Sequence, residues 1–427
     1  MLQHEENWIA LAEALGPRSH WLKPLLERFE TPEAVFAADE NALREAMPDV
    51  GEGLLRMLLT KRSADAAKQI ARWCHRNSVK ILTYDSNTYP ACLRELEEPP
   101  AVLYCRGTLP DLAARPAIGI VGTRRADAYG EQVAYKISFE LAAAGAVIVS
   151  GMAEGIDGIA TAAALAAGGV PIAVLGCGID IAYPRHHTRL KGECAEYGAV
   201  ITEYPPGTPP NGYHFPIRNR LISALSDAVL VVEAGERSGA LITARYAVMQ
   251  GRLLFAVPGD VTAARSQGSN RLLQAGARAA LCAEDVLSLL RPRYHEGIHE
   301  DAFREAVQYA TLTPEALAAY GVRSVGVPKK SEPEEGEKRT RRARGEKKKE
   351  AAREPVQEKE GHRPCAAELS MLTPRQRELY AMLPDGAFSV DALTERGVPV
   401  SEAVSTLTML EIYGLLSALP GGVFERK

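Results

Sequence analysis

Glycine recurs in six stretches between residues 118 and 271, five of which also carry arginine. The first is Gly122-Thr123-Arg124-Arg125 and the second is Ser150-Gly151 with Glu154, Gly155 and Asp157. The third runs from Gly176 to His187 and carries Asp180, Tyr183, Arg185 and His186. The fourth runs from Glu203 to Arg220, with Tyr213-His214-Phe215 and Arg218. The fifth is Glu233 to Gly239, containing Arg237 and Ser238, and the last holds Asp260 and Gly268 to Arg271. Glycines admit close backbone approach and expose N–H groups, and helix N-termini add positive dipole ends. Arginine supplies a planar fork matched to phosphate. Arg124, Arg185, Arg218 and Arg220 on one rim would track several phosphates, and the interleaved rings (His186 among them) could stack bases, a combination suited to single-stranded nucleic acid. The same residues admit a structural use, in which the arginines pair with Glu154, Asp157, Asp180, Glu203 or Glu233 and tie the loops together. Glu203 and Glu233, read as ending neighbouring strands, could also form a carboxylate pair for hydrolysis.

Several chemistries are missing from these stretches. No G-x-x-x-x-G-K-[ST] occurs, and Gly176-Cys177-Gly178 lacks the third glycine of a dinucleotide fingerprint. Ser150 is not in a G-x-S-x-G elbow. His186-His187 has no further ligand at metal spacing. No cofactor or metal is expected.

The elements around these stretches must bring them to one place. Ile118–Val121, Val147–Ser150, Pro171–Leu175, Ala199–Thr202, Ala228–Val232 and Leu253–Val257 are continuous apolar runs, separated by helical stretches such as Ala128–Ala144 and Ile156–Ala167. Such runs mark a parallel sheet covered on both faces, hence a doubly wound α/β domain. All strand-to-helix loops then emerge at the carboxyl edge, where open α/β folds bind ligands. Residues 1–75 read as a small all-α domain, of SAM or helix-hairpin-helix type, whose Pro48–Gly53 hairpin could hold a phosphate or serve packing alone. Residues 79–117 read as a connector, strand-like at Val79–Tyr84 and extended at Glu98–Gly107, and the α/β domain is bounded at 79–295. Beyond it only a helix at Asp301–Ala310 is legible. Residues 329–363 read as a disordered basic linker, with 13 Lys+Arg against 9 Asp+Glu. Residues 368–427 give helices starting at Thr373, at Ser389–Glu395 and at Ser401–Tyr413. A hairpin turning at Pro420-Gly421-Gly422 follows, the pattern of a winged helix.

The chain has 427 residues and a net charge of −4, so bulk charge does not indicate nucleic acid. Hydrophobic residues at 46% exclude a wholly disordered or collagen-like chain. Seven scattered cysteines without a CxxC pair argue against a disulfide framework or zinc knuckle. No apolar run is long enough for a bilayer, and the start lacks a basic-then-apolar leader, so a cytoplasmic protein without membrane contact is expected.

Six motifs in series resemble one family. They are Gly119–Arg124, Val149–Asp157, Val174–Pro184, His214–Ser226, Arg237–Ala244, and Val257–Asp260 with Gly268–Asn270. Together they are similar to the DprA family, also called Smf, the bacterial DNA-processing proteins of natural transformation. The resemblance implies an extended Rossmann-like domain that binds single-stranded DNA and dimerises. It implies a recombination mediator that protects incoming strands and loads the RecA recombinase, with no catalysed reaction. It assigns DNA contacts to Arg124 and Arg185, with backbone and serine contacts from Gly122, Ser150, Gly151, Ser238 and Gly239. Thr123, His186, Arg218 and Arg220 complete the candidate DNA-binding set. Two features depart from the family. The hairpin reads Pro48-Asp49-Val50-Gly51 where Pro-Gly-Val-Gly is usual, and residues 338–349 hold eight basic residues and one acid. That block suits salt-sensitive DNA affinity or a solvated spacer. A rival class is a phosphoribohydrolase-like enzyme on a related Rossmann-like fold, but Glu233 to Ala240 lacks that class's Pro-Gly-Gly-x-Gly-Thr stretch and following Glu.

Overall fold

A computed structural model describes residues 4–60 and 64–324, and, between 374 and 426, residues 374–384, 386–389, 391–394, 415–419 and 423–426 with a few single positions. It divides into two compact units, residues 1–332 and 333–427.

The first unit is built on one nine-stranded sheet. Its strands are β1 (Lys80–Thr83), β2 (Val102–Gly107), β3 (Ala117–Val121), β4 (Val147–Ser150), β5 (Val170–Val174), β6 (Ala199–Thr202), β7 (Ala228–Val231), β8 (Leu253–Ala256) and β9 (Arg278–Ala279). The spatial order is β1-β2-β6-β5-β4-β3-β7-β8-β9. Every expected strand is present within a residue of its expected limits, and β3, β4, β6 and β7 are buried throughout, as continuous apolar runs require.

The sheet departs from the purely parallel expectation at one edge. The segment read as a connector supplies β1 and β2, and both pair antiparallel, with Tyr104 opposite Thr202 across β2 and β6. The parallel part winds both ways from β3: through β4 and β5 to β6 on one side, and through β7 and β8 on the other. Glu203 and Glu233 follow β6 and β7, which are separated by three strands, so they do not form the carboxylate pair considered above.

Helices α1 (His4–Leu15), α2 (Leu22–Phe29), α3 (Pro32–Ala37), α4 (Glu40–Ala46), α5 (Glu52–Leu59) and α6 (Ala64–Arg76) precede the sheet. Thr31 and Asp39 cap α3 and α4 by accepting from the N–H three residues on. The apolar face of α1 packs on α6 and on β1 and β2, and Trp8 lies 6.2 Å from the Tyr84 ring. One apolar core therefore runs from Trp8 through Tyr104 and Ile148 to Val322. The remaining helices are α7 (Ala91–Arg94), α8 (Ala128–Ala143), α9 (Ile156–Ala166), α10 (Thr188–Tyr197), α11 (His214–Ala224), α12 (Ala240–Met249), α13 (Gln267–Gln274), α14 (Ala283–Tyr294), α15 (Glu300–Tyr309) and α16 (Pro314–Ala319).

In the second unit, β10 (Ala387–Ser389), β11 (Leu416–Leu419) and β12 (Val423–Arg426) form an antiparallel sheet in the order β10-β12-β11. The expected hairpin is β11–β12, and its turn lies outside the described residues. Of the expected helix Ser389–Glu395, Asp391–Thr394 is described as helical, whereas Ser389 belongs to β10 and pairs with Val423. Of the expected helix at 401–413, Ala403, Thr406, Leu407 and Leu410 are described as helical. The basic linker lies outside the described residues.

Because Trp8 is fully buried in the shared core, Trp8→Ala should lower the stability of the full chain by roughly 3–5 kcal/mol. Urea unfolding followed by circular dichroism would show this as a lower midpoint, with α1 and the sheet lost in one transition.

Candidate nucleic-acid interface

The two directions of winding part between β3 and β7, and a crevice opens there at the carboxyl ends of the strands. It is a cleft of about 540 Å³. Its walls include Gly122, Thr123 and Arg124 after β3, Phe215 and Arg218 on α11, and Arg237, Ser238 and Gly239 after β7. Main-chain bonds lock the loops together: Thr123 N–H donates to the Glu233 carbonyl at 2.7 Å, and Ile156 N–H to the Thr123 carbonyl at 3.2 Å. Gly155 makes the second contact possible, since its φ is +72° and a Cβ there would sit 2.3 Å from the Thr123 oxygen.

The structure separates the candidate arginines into two kinds. Arg218 is buried and donates through Nη1 to the Gly151 carbonyl at 2.8 Å and to the Val174 carbonyl. It therefore clamps the ends of β4 and β5 and shows only part of itself to the cleft. Arg220 is 2% exposed and makes a double bond pair with Glu203, Nη1 to Oε1 at 3.1 Å and Nη2 to Oε2 at 2.7 Å. Its expected place on the rim is corrected: on α11 a residue two positions from Arg218 points to the other side of the helix. Ser150 is likewise internal, with its hydroxyl donating to the Ile120 carbonyl at 2.7 Å. Gly151 is buried, and its N–H is taken by Asp157 Oδ2 at 3.1 Å.

Arg124 is of the other kind. It is exposed, lines the cleft and lies 5.0 Å over the Phe215 ring. Arg125, Arg185 and Arg237 are exposed too, and among the described residues none of the four is in an ion pair. By contrast Arg271 pairs with Glu236 at 2.6 Å, and Arg265 with Glu233 at 3.6 Å. Arg125 and Arg237 were absent from the candidate set; each follows a glycine-bearing strand end on either side of the switch point, which is the signal that could have found them.

Arg185 and His186 sit outside the cleft, on a 3₁₀ turn spanning Arg185–His187. His186 Nε2 lies 3.4 Å from Glu154 Oε1, next in sequence to the cleft residue Ala153. The buried His187 bonds the Met152 carbonyl through Nδ1 at 3.1 Å, and burial pushes its pKa down to about 4. It is a neutral strut between loops. Tyr183 and Phe215 approach to 5.4 Å between ring centres.

Carboxylates near the cleft are occupied. Burial raises the pKa of Asp157, opposed by the charges of Arg218 and Arg124. Glu203 is raised by burial and opposed by Arg220. Glu233 is pushed up to about 7, chiefly by burial, although the Asp127 N–H donates to its Oε2 at 3.1 Å. Ser238 Oγ accepts from the Ala240 N–H at 3.3 Å, and the Gly239 carbonyl accepts from Asn219 Nδ2 at 3.3 Å. Both fix the start of α12.

Fold and site together define a doubly wound α/β protein with an arginine-lined cleft at its switch point. Residues 80–291 match the family model of DNA recombination-mediator protein A, and residues 363–422 match that of the DprA winged helix domain. The chain is 43% identical over 215 residues to DNA processing protein DprA of Bacillus subtilis, covering 50% of this chain and 72% of that protein. It is 34% identical over 352 residues to Protein Smf of Escherichia coli, covering 82% of this chain and 78% of that protein. The X-ray structure of DNA processing protein A from Streptococcus pneumoniae is similar with a TM-score of 0.59 and 30% identity, covering 67% of this chain and 98% of that one. The chain belongs to the DprA/Smf family, and its second unit contains the segment that matches the family's winged helix domain.

Two predictions follow from the buried charges. Arg220→Met leaves Glu203 buried without its partner and should cost roughly 3–5 kcal/mol in urea unfolding, whereas adding Glu203→Leu should return most of it. For Glu233 the folded pKa lies above the carboxylate's ordinary 4.5. The folded state then holds the proton more tightly, and its contribution to stability falls as pH rises from about 4.5 to about 7. Glu233→Gln keeps an acceptor for the Asp127 N–H, so unfolding midpoints measured from pH 5 to 8 should fall less steeply in the variant.

Proposed function

We propose that this protein binds single-stranded DNA along the switch-point cleft and acts as a recombination mediator. In this reading it shields incoming strands during transformation and passes them to the RecA recombinase in the cytoplasm. It works by binding and not by catalysis. The observation that carries the reading is the set of exposed arginines, Arg124, Arg125, Arg185 and Arg237, which have no carboxylate partner among the described residues while the cleft's own Asp157 faces Arg218. Such cations are left to neutralise phosphates, and Phe215 and Tyr183 offer faces on which bases can stack. The family model's description as a recombination mediator supports the same conclusion. Homodimerisation belongs to the proposal and is supported by the exposed Val248 and Met249 at the end of α12 and by Leu281 beyond β9. No helix among the described residues is long and apolar enough to cross a membrane.

The test is a salt titration of the full chain with single-stranded oligonucleotides and with duplex of equal length. Single strands should bind more tightly. Arg124→Ala and, separately, Arg185→Ala should each flatten the plot of log affinity against log salt by about 0.7. Unchanged slopes in folded variants would remove those residues from the site, and absence of single-strand binding would remove the function.

A further inference from the structure

Residues 295–324 lie beyond the segment matched by the family model for the α/β domain. In the structure they return across the helices that flank the cleft: α15 packs on α8, and α16 on α9. Phe303, Leu317 and Val322 are buried in the main core. The end of the segment is pinned at two points. The Gly321 backbone, at φ +72°, lies so close to the Arg185–His187 turn that a Cβ would sit 2.4 Å from the His186 carbonyl oxygen. Ser324 Oγ donates to Glu131 Oε2 at 2.5 Å, on α8. Arg323 is thus held between a buried valine and an anchored serine, with its own side chain exposed.

Arg323 stands beside the Arg185–His187 turn. Its charge acts on His186 and His187 and, after burial, helps lower the pKa of the first. Arg185 is adjacent to His186 in sequence. The nearby Glu154 lies 3.4 Å from His186 Nε2, and among the described residues Arg323 makes no ion pair. An exposed arginine on a pinned backbone, without an ion pair among the described residues, keeps its guanidinium fork for an arriving phosphate. Contacts link this place to the cleft in sequence, from Ala153 in its wall through Glu154 and His186 to Arg323.

We propose that Arg323 is a further phosphate-binding residue, and that residues 320–324 form the outer wall of a nucleic-acid path running from the cleft past Arg185. This rests on the single-strand reading given above. The path requires a polyanion longer than the cleft itself holds.

The experiment measures affinity against salt for the full-length protein, using oligothymidylates of about 5 and about 20 nucleotides, within the range of single-strand site sizes. Native protein, Arg323→Ala, Arg323→Lys and Arg124→Ala are compared, with urea midpoints as the folding control. Arg323→Ala should lower the salt slope by about 0.7 on the long strand and leave the short one unchanged. Arg323→Lys should restore the slope. If Arg124→Ala lowers the slope and Arg323→Ala does not, the inference is wrong and the single-strand reading stands. An equal loss on both lengths would put Arg323 at the cleft itself and overturn the longer path. If the native protein shows no single-strand binding, the reading and the inference fall together.

Discussion

The carboxyl edge of the sheet is held in shape by one buried guanidinium. Arg218 reaches from α11 to the carbonyls of Gly151 and Val174, which end β4 and β5. A charge buried this way is tolerable only where carbonyls and a counter-charge surround it, and Asp157 supplies the latter. The arrangement also explains Gly151. A Cβ there would lie 2.5 Å from Arg218 Nη2 and 2.4 Å from Asp157 Oδ2, so any other residue would displace the clamp. Asp157 acts on Arg124 as well as on Arg218, so one buried carboxylate faces two guanidiniums. The cationic character of the cleft therefore depends on an ion arrangement beneath it.

This dependence divides labour among residues of the same type. Arg218 and Arg220 serve the frame, one joining strand ends and the other fastening α11 to Glu203 after β6. Arg124, Arg125, Arg185 and Arg237 stand on loops and turns at the surface. Nothing in residue type distinguishes the two groups. Their difference lies in whether a helix or a loop carries them, and in which side of the helix they take.

The parallel strands were legible because each is a short apolar run buried on both faces; β4 and β6 match their expected limits at both ends. The β2 strand was missed as a strand because its partner, β6, is distant in sequence, and a Pro-Pro pair introduces it like a connector. The same limit misplaced Glu203 and Glu233, whose strands are successive along the chain but lie apart in the sheet. The cleft was legible in outline, since six loops had to share one edge. The internal role of Ser150 was not, and the choice between rim and frame for Arg218 and Arg220, open in the sequence, is set by burial and tertiary packing.

The position of the cationic loops also bears on what kind of ligand fits. The loops are tied to one another and to the frame: Thr123 to Glu233, Ile156 to Thr123, His187 to Met152, and residue 324 to α8. A small anion held in the cleft would lie between Arg124 and Arg237 and leave Arg125 and Arg185, which do not line it, without a phosphate. A chain of phosphates can meet several at once, and each contact adds a modest, salt-sensitive increment. Rigid anchoring matters for such a ligand, because side chains already placed lose less freedom on binding than loops that must first be ordered. Cations spread over several prefixed loops are therefore matched to an extended polyanion.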